Sequence, residues 1–148
     1  MFSDLPGYEA PHGGTIPPHI LVTNQRPDLF IVSESLLRVI VFELTCPWDA
    51  NVSRSHTYKQ EKYAPLVADL SQRYTVFHFS VEVSVRGQVS KENQGRIRAL
   101  VFRCCDNPGK LAGKIVKSGS KAALLASFSL FCARKEPAWL SPPLLRIS

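Results

Sequence analysis

Two acidic residues in the N-terminal half of the chain have types and a spacing that suit metal chemistry. Asp28 follows Arg26-Pro27 at the head of a hydrophobic segment, and Glu43 lies near the end of the next one, with residues 29–42 between them. If these segments pair as a hairpin, both carboxylates come to one end of a sheet. One or two carboxylates are the usual protein contribution to a Mg²⁺ site, and such a cation activates water against a phosphate. The pattern therefore predicts metal-assisted phosphodiester hydrolysis.

The two segments that position these acids read as strands. Leu29–Ser33 is apolar and β-branched, follows a proline and is bounded by a turn at Glu34-Ser35. Leu37–Thr45 is so densely apolar that it predicts a central strand buried on both faces. A glutamate near the end of such a strand is costly to bury unless it has a partner or a function.

Helices and further strands follow along the chain. A helix capped at Asp49, Asn51 or Ser53 should run to about Arg73, and Pro65 should kink or split it. In chain order the other expected elements are a short apolar strand at 19–23, a strand at 74–85 with Glu82 exposed, a helix at 90–105, a loop at 106–109 and a helix at 119–134. Helices placed between strands predict an α/β fold, a mixed β-sheet flanked by helices.

The length of 148 residues suits one compact domain with peripheral segments. We expect an irregular Pro/Gly-rich lead-in at 1–18, a core at 19–105, and a C-terminal helical extension and tail at 106–148. The lead-in lacks the basic start and apolar run of a secretory signal. The longest apolar stretch, at 122–133, is too short to span a bilayer, so no membrane partner is expected.

The charge and the cysteines bear on compartment and partner. A formal net charge of +6 favours a polyanionic partner such as nucleic acid, although the same cations can form solvated helix faces. Cys46, Cys104-Cys105 and Cys132 contain no paired CxxC motif, so buried free thiols in a reducing compartment are expected rather than zinc. His56 and His78 are expected to be structural, because no second ligand has suitable spacing.

A longer constellation resembles a known family. It comprises Arg26-Pro27-Asp28, a short hydrophobic strand, a strand that ends in the run from Glu43 to Trp48, and a helix that carries Lys59 and Lys62-Tyr63. This is similar to the restriction-endonuclease-like region, of the PD-(D/E)XK type, near the C-terminus of non-LTR retrotransposon polyproteins and related reverse-transcriptase-associated sequences. Thr15–Val89 carries most of the resemblance. It implies a restriction-endonuclease-like core with an extra C-terminal helical segment.

The resemblance also implies roles for individual residues. Asp28 and Glu43 match the two acids that bind Mg²⁺ or Mn²⁺, and both would be catalytic. Thr45 stands where the family has a lysine, which is a departure from the motif. Lys59 or Lys62, from the following helix, would replace it, and Lys59 is slightly preferred because it shares a stripe with Tyr63. The expected nucleic-acid contacts are Arg26, Arg54, Arg96 and Arg98.

Several functions remain open at this stage. The first is a metal-dependent DNA endonuclease that nicks chromosomal DNA in the nucleus and exposes a primer for reverse transcription. Its partner is DNA, with RNA or a reverse transcriptase portion as further partners. The alternative is a non-catalytic nucleic-acid-binding remnant of the same fold, favoured by Thr45 and by the absence of a recognisable upstream acid. A translated genomic fragment without a present role is a third.

The candidate residues also have purely structural explanations. Asp28 suits a turn after proline. Glu43 suits a surface ion pair with Arg38 or Arg26. Lysines on a helix most often form its solvated face. The positions of these side chains in the fold decide between the two sets of explanations.

Overall fold

The computed structural model describes residues 15–103 and 108–134. Within these ranges the chain forms a mixed α/β fold, in which three helices flank a three-stranded sheet of order β1-β2-β3. The strands are β1 (Leu29–Ser33), β2 (Arg38–Thr45) and β3 (Thr75–Glu82). The helices are α1 (Val52–Leu70), α2 (Lys91–Phe102) and α3 (Pro108–Ala133). The predicted mixed sheet flanked by helices is confirmed.

Strands β1 and β2 form the predicted hairpin. They run antiparallel, with Leu29 opposite Phe42 and Ser33 opposite Arg38. The connection is a tight turn in which Leu37 adopts a positive φ of 49° and donates its N–H to the Glu34 carbonyl. A hairpin with this register brings the residue before β1 next to the end of β2.

Strand β2 is central, as its composition predicts. It pairs with β1 on one side and runs parallel to β3 on the other, with α1 as the crossover connection. Val39, Ile40 and Val41 are all buried, because helices cover both faces of the sheet. Parallel neighbours need such a crossover, and ligand sites in α/β sheets commonly lie at the carboxyl ends of the strands.

Helix α1 covers one face of the sheet, which we call the α1 face. Tyr63, Leu66 and Leu70 pack there against buried residues that include Phe30 and Val41. Pro65 lies inside one unbroken helix, so the predicted split is wrong. Pro65 is exposed, so the carbonyl that loses its partner faces water, and packing on both sides of the proline maintains the helix.

Helix α2 covers the opposite face. Ile97 and Val101 pack on Val81, and the neighbouring turn of the helix contacts a second cluster around Ile40. The helix begins where the sequence predicts, with the Ser90 hydroxyl accepting the Asn93 N–H as an N-cap.

Helix α3 begins earlier than predicted. It starts at Pro108, where the expectation was a loop followed by a helix from Gly119. Proline is favoured in the first helical turn because its missing N–H has no partner there, so the Pro-Gly signal marks the start of this helix. Its first half contacts the fold, with Ala112 buried and Gly119 close to Val83. The remaining residues of the predicted loop, 106 and 107, lie outside the described ranges.

The second half of α3 projects an apolar surface. Its exposed large side chains are Leu124, Leu125, Phe128, Leu130 and Phe131. By length and composition alone, α3 is long and apolar enough to cross a membrane, which the shorter predicted segment is not.

Two smaller predictions are also wrong. Residues 18–20 form a turn rather than part of a strand, with Ile20 and Leu21 donating their N–H groups to the Pro17 carbonyl. Cys46 and Cys132 are free but exposed rather than buried, because one follows the end of β2 and the other lies on the projecting part of α3. Residues 1–14 of the lead-in, Cys104, Cys105 and the C-terminal tail lie outside the described ranges, while residues 15–17 have no regular secondary structure, as predicted.

Candidate functional site

The hairpin brings Asp28 and Glu43 together. Leu29 pairs with Phe42, so Asp28, one residue earlier, lies opposite Glu43. Side chains alternate along strands, and Val39 and Val41 belong to the core on the α1 face, so Glu43 points to that face as well. Both acids therefore lie at the same end of the hairpin, as the sequence predicts.

Two hydrogen bonds link Asp28 to the end of β2, one to Glu43 and one to the neighbouring residue Leu44. The Asp28 N–H donates to Glu43 Oε1 at 3.0 Å, and the Leu44 N–H donates to Asp28 Oδ2 at 2.7 Å. Asp28 is exposed, whereas Glu43 is 1% exposed. One carboxylate therefore meets solvent, and the other is held behind it in the protein.

Lys59 supplies the charge partner of the buried acid. Its Nζ lies 2.5 Å from Glu43 Oε2, and its side chain is 18% exposed. The alternative pairing of Glu43 with Arg38 or Arg26 is wrong. Lys62 is exposed, and its Nζ lies 3.2 Å from the Tyr63 hydroxyl. Of the two candidate lysines, the fold brings Lys59 to the acid.

Tyr63 connects α1 to the segment that carries Asp28. Its buried hydroxyl donates to the Arg26 carbonyl at 3.1 Å. Burial, and then the nearby charges of Glu43 and Asp28, raise the pKa of Tyr63 far above its ordinary value. The phenol is therefore a neutral donor that positions the Arg26-Pro27-Asp28 segment.

Polar atoms without partners lie beside the acids. Ser80 is opposite Glu43 on β3, and its buried hydroxyl has no hydrogen-bond partner among the described residues. The Thr45 hydroxyl, at the end of β2, is also buried and also lacks a hydrogen-bond partner among the described residues. Buried polar groups are normally paired, so these two hydroxyls have hydrogen-bonding capacity that the described residues do not use.

The four predicted nucleic-acid contacts are placed differently from one another. Arg26 and Arg54 are exposed, the first beside Asp28 and the second in the first turn of α1. Arg98 is exposed on α2, across the sheet from α1. Arg96 is instead directed inward, with NH1 2.6 Å from Asn93 Oδ1 and 3.5 Å from Glu82 Oε2. Arg26 therefore lies next to the acids, whereas Arg54 lies by Cys46, Pro47 and Trp48, beyond the end of β2.

Glu82 was missed as a site residue. It was predicted to be exposed, but it is 1% exposed at the end of β3. Because β3 has a helix on each face, the rule that polar residues of a strand face water does not apply to it. The available signal was the run His78, Ser80 and Glu82, which places three polar residues on one face of the strand.

The described ranges, 15–103 and 108–134, hold no cluster of three or more His, Cys, Asp or Glu side chains arranged to bind a metal ion. The site contains two clustered carboxylates, within the number that Mg²⁺ takes from proteins. Comparison with known proteins adds no family. No protein-family model matches the chain, and no curated protein matches it.

Proposed function

We propose that this chain carries a restriction-endonuclease-like core and is a metal-dependent DNA endonuclease, in which Asp28 and Glu43 hold Mg²⁺ or Mn²⁺. The observation that carries the proposal is the buried Glu43 carboxylate, which contacts the Asp28 amide with one oxygen and the Lys59 ammonium with the other. A buried carboxylate is costly without a charged partner, and such arrangements are concentrated at functional sites.

The donor set fits a hard divalent cation. Asp28 is exposed, and its Oδ1 has no hydrogen bond within the described part of the chain. The unpartnered Ser80 hydroxyl supplies a further oxygen next to Glu43. Mg²⁺ prefers oxygen ligands and keeps several waters. When bound, such a cation polarises the scissile phosphate and lowers the pKa of its water.

The other residues bind and orient the substrate. The Lys59 ammonium replaces the family's lysine, which is Thr45 here, and offsets negative charge on a phosphate oxygen. Glu43 fixes the direction of Lys59 in the ground state through the 2.5 Å contact. Exposed Arg26 and Arg54 contact the flanking backbone phosphates, which gives affinity without sequence preference. The activity would nick chromosomal DNA in the nucleus and leave a 3′-hydroxyl primer for a reverse transcriptase.

Plasmid nicking tests the proposal. The full chain is incubated with supercoiled DNA and Mg²⁺ or Mn²⁺, alongside Asp28→Asn, Glu43→Gln and Lys59→Met. Glu61→Gln, an exposed acid on α1, is the matched control. Each of the three site substitutions removes several kcal/mol of charge stabilisation from the transition state, so each should lower the nicking rate on the order of 10³-fold. The control variant should nick at the unaltered rate. Equal nicking by all variants would remove the proposal.

One observation favours a second candidate function. Thr45 occupies the position of the family's lysine, and Lys59 already satisfies Glu43 without a metal. The fold could therefore act as a non-catalytic DNA-binding domain. That function predicts no nicking by any variant, together with DNA binding that falls steeply with salt and is unaffected by chelator.

A further inference from the structure

A second buried glutamate lies outside the proposed reaction. Glu82 ends β3 and is 1% exposed, and its Oε1 lies 3.1 Å from His56 Nδ1. Its Oε2 lies 3.5 Å from the Arg96 guanidinium, which is an ion-pair distance, and accepts no hydrogen bond from any residue in the described ranges. Asn93 donates to the Glu82 backbone carbonyl at 2.9 Å and accepts from Arg96 at 2.6 Å. This network directs the carboxylate at His56.

The pair lies beside the first site, on the same face. Thr45 is opposite Glu82 in the parallel register, one same-face step beyond Glu43 and Ser80. His56 and Lys59 are three residues apart on α1, and residues at that spacing share a helix face. Two side chains of α1, His56 and Lys59, therefore contact two buried glutamates on neighbouring strands, Glu82 and Glu43.

The contact determines how the imidazole can act. A carboxylate accepts from Nδ1, so Nδ1 carries a hydrogen and Nε2 is the atom left for exchange. Nε2 has no hydrogen-bond partner among the described residues, and the side chain is 25% exposed. His78, in contrast, has an Nε2 atom that is buried and unpaired. Of the two, only His56 combines an oriented ring with access from solvent.

Charged groups surround the pair formed by His56 and Glu82. Glu82 contacts the ring directly, and Glu43 lies on the neighbouring strand. The opposing cations are Lys59, already paired with Glu43, and Arg96, already close to Glu82. His78 faces the same space, and burial lowers its pKa, so it remains neutral.

We propose that His56 is a further catalytic residue, which donates a proton from Nε2 to the leaving 3′-oxygen of the scissile phosphodiester, with Glu82 as its positioning residue. Water forms the new P–O bond, the P–O3′ bond breaks, and its electron pair goes to the oxygen that takes the His56 proton. The attacking water releases its proton to solvent, and the neutral imidazole keeps its Nδ1–H bond to Glu82. This inference rests on the proposed nuclease function.

The test compares two substrates that differ in the leaving atom. One is an ordinary oligonucleotide, and the other carries sulfur in place of the bridging 3′-oxygen at the cleavage site, because a thiolate leaves without protonation. With the ordinary substrate, His56→Gln should lower kcat about 100-fold and leave KM unchanged. With the sulfur substrate, the variant and the unaltered protein should cleave at equal rates. Loss on both substrates alike would overturn the assignment.

The pH profile gives a second readout that needs no variant. The unaltered chain should lose activity on the alkaline side with the ordinary substrate, as His56 gives up its proton, and should lack this limb with the sulfur substrate. Glu82→Gln, which alters the contact that orients the ring, should lower kcat with the ordinary substrate and leave the sulfur substrate unaffected. His19→Gln is the matched control, since His19 also lies 3.1 Å from a glutamate, Glu34, but at an exposed position. It should change nothing.

The two proposals fail in different ways. Nicking that survives both Asp28→Asn and Glu43→Gln removes the nuclease site itself. Nicking that needs both acids but shows identical pH profiles for the two substrates removes only the role of His56. Absence of nicking by the unaltered chain removes both. Since the pH comparison uses the unaltered chain, poor folding of His56→Gln does not prevent a decision.

Discussion

Replacing Lys59 by methionine tests whether the ion pair between Lys59 and Glu43 is shielded from water. Glu43 is 1% exposed and Lys59 18% exposed, so neither charge is well solvated. Methionine keeps most of the side-chain volume and removes the ammonium. Breaking a buried pair from one side costs about 3–5 kcal/mol, because the other charge stays behind without compensation. The partial exposure of Lys59 places the expected loss near the lower end of this range.

Urea unfolding followed by circular dichroism measures the effect. A loss of about 3 kcal/mol at an m-value of about 2 kcal/mol/M lowers the midpoint by about 1.5 M. Lys62→Met is the matched control, because it removes an exposed ammonium from the same helix and should cost less than about 1 kcal/mol. The double variant Glu43→Gln/Lys59→Met should be more stable than Lys59→Met alone, since no buried charge remains.

The reasoning would be refuted if Lys59→Met were no more destabilising than Lys62→Met. It would also be refuted if adding Glu43→Gln made the Lys59 variant less stable. Either result would mean that water reaches the Glu43 carboxylate freely and that the contact at 2.5 Å is a surface ion pair of small energy.

Three other substitutions test the packing and the stability of the fold. Gly87→Ala should destabilise the protein by about 1–3 kcal/mol, because φ is +75° and the new Cβ would lie 2.5 Å from the Ser120 carbonyl oxygen. Gly113→Ala, which has open space around it on α3, should stabilise the protein by roughly 0.5–1 kcal/mol. Thermal unfolding compares the two variants, and an equal effect would contradict the close approach of α3 to Gly87. His78→Gln should flatten the pH dependence of the free energy of unfolding. Burial lowers the pKa of His78 in the folded protein below its ordinary value of 6.5, so the unfolded chain binds a proton at a higher pH than the folded protein does. Stability therefore falls as the pH drops through 6.5. Urea midpoints at pH 7.5 and 5.5 measure this slope, and an unchanged slope would show that His78 is not responsible.

The local parts of the site were predictable from the sequence. A hairpin needs only two apolar segments and a turn, and the side-chain period of two then fixes which residues share a face. The meeting of Asp28 and Glu43 follows from these rules. So does the central position of β2, because a continuous apolar run requires cover on both faces.

The non-local parts were not predictable. The stripe shared with Tyr63 favoured Lys59 over Lys62 only slightly, because the two lysines differ in position on α1 by less than one turn and the docking angle of the helix decides which of them reaches Glu43. Glu82 is buried because a helix packs on each face of β3. The residue pattern within β3 does not predict that both faces are covered. Pro65 and Pro108 show the same limit, since a helix tolerates proline when its environment supplies the packing or the position requires no N–H.

The arrangement of charges on the α1 face argues against a purely structural role. A fold that needed only stability would do as well or better with apolar residues in place of a buried ion pair. Here two buried glutamates, Glu43 beside Lys59 and Glu82 beside His56, lie at one end of the sheet. Each carboxylate contacts a basic side chain that retains some exposure. Asp28, which lies at the same end of the hairpin as Glu43, is exposed as well, so polar side chains reach solvent at this end of the sheet.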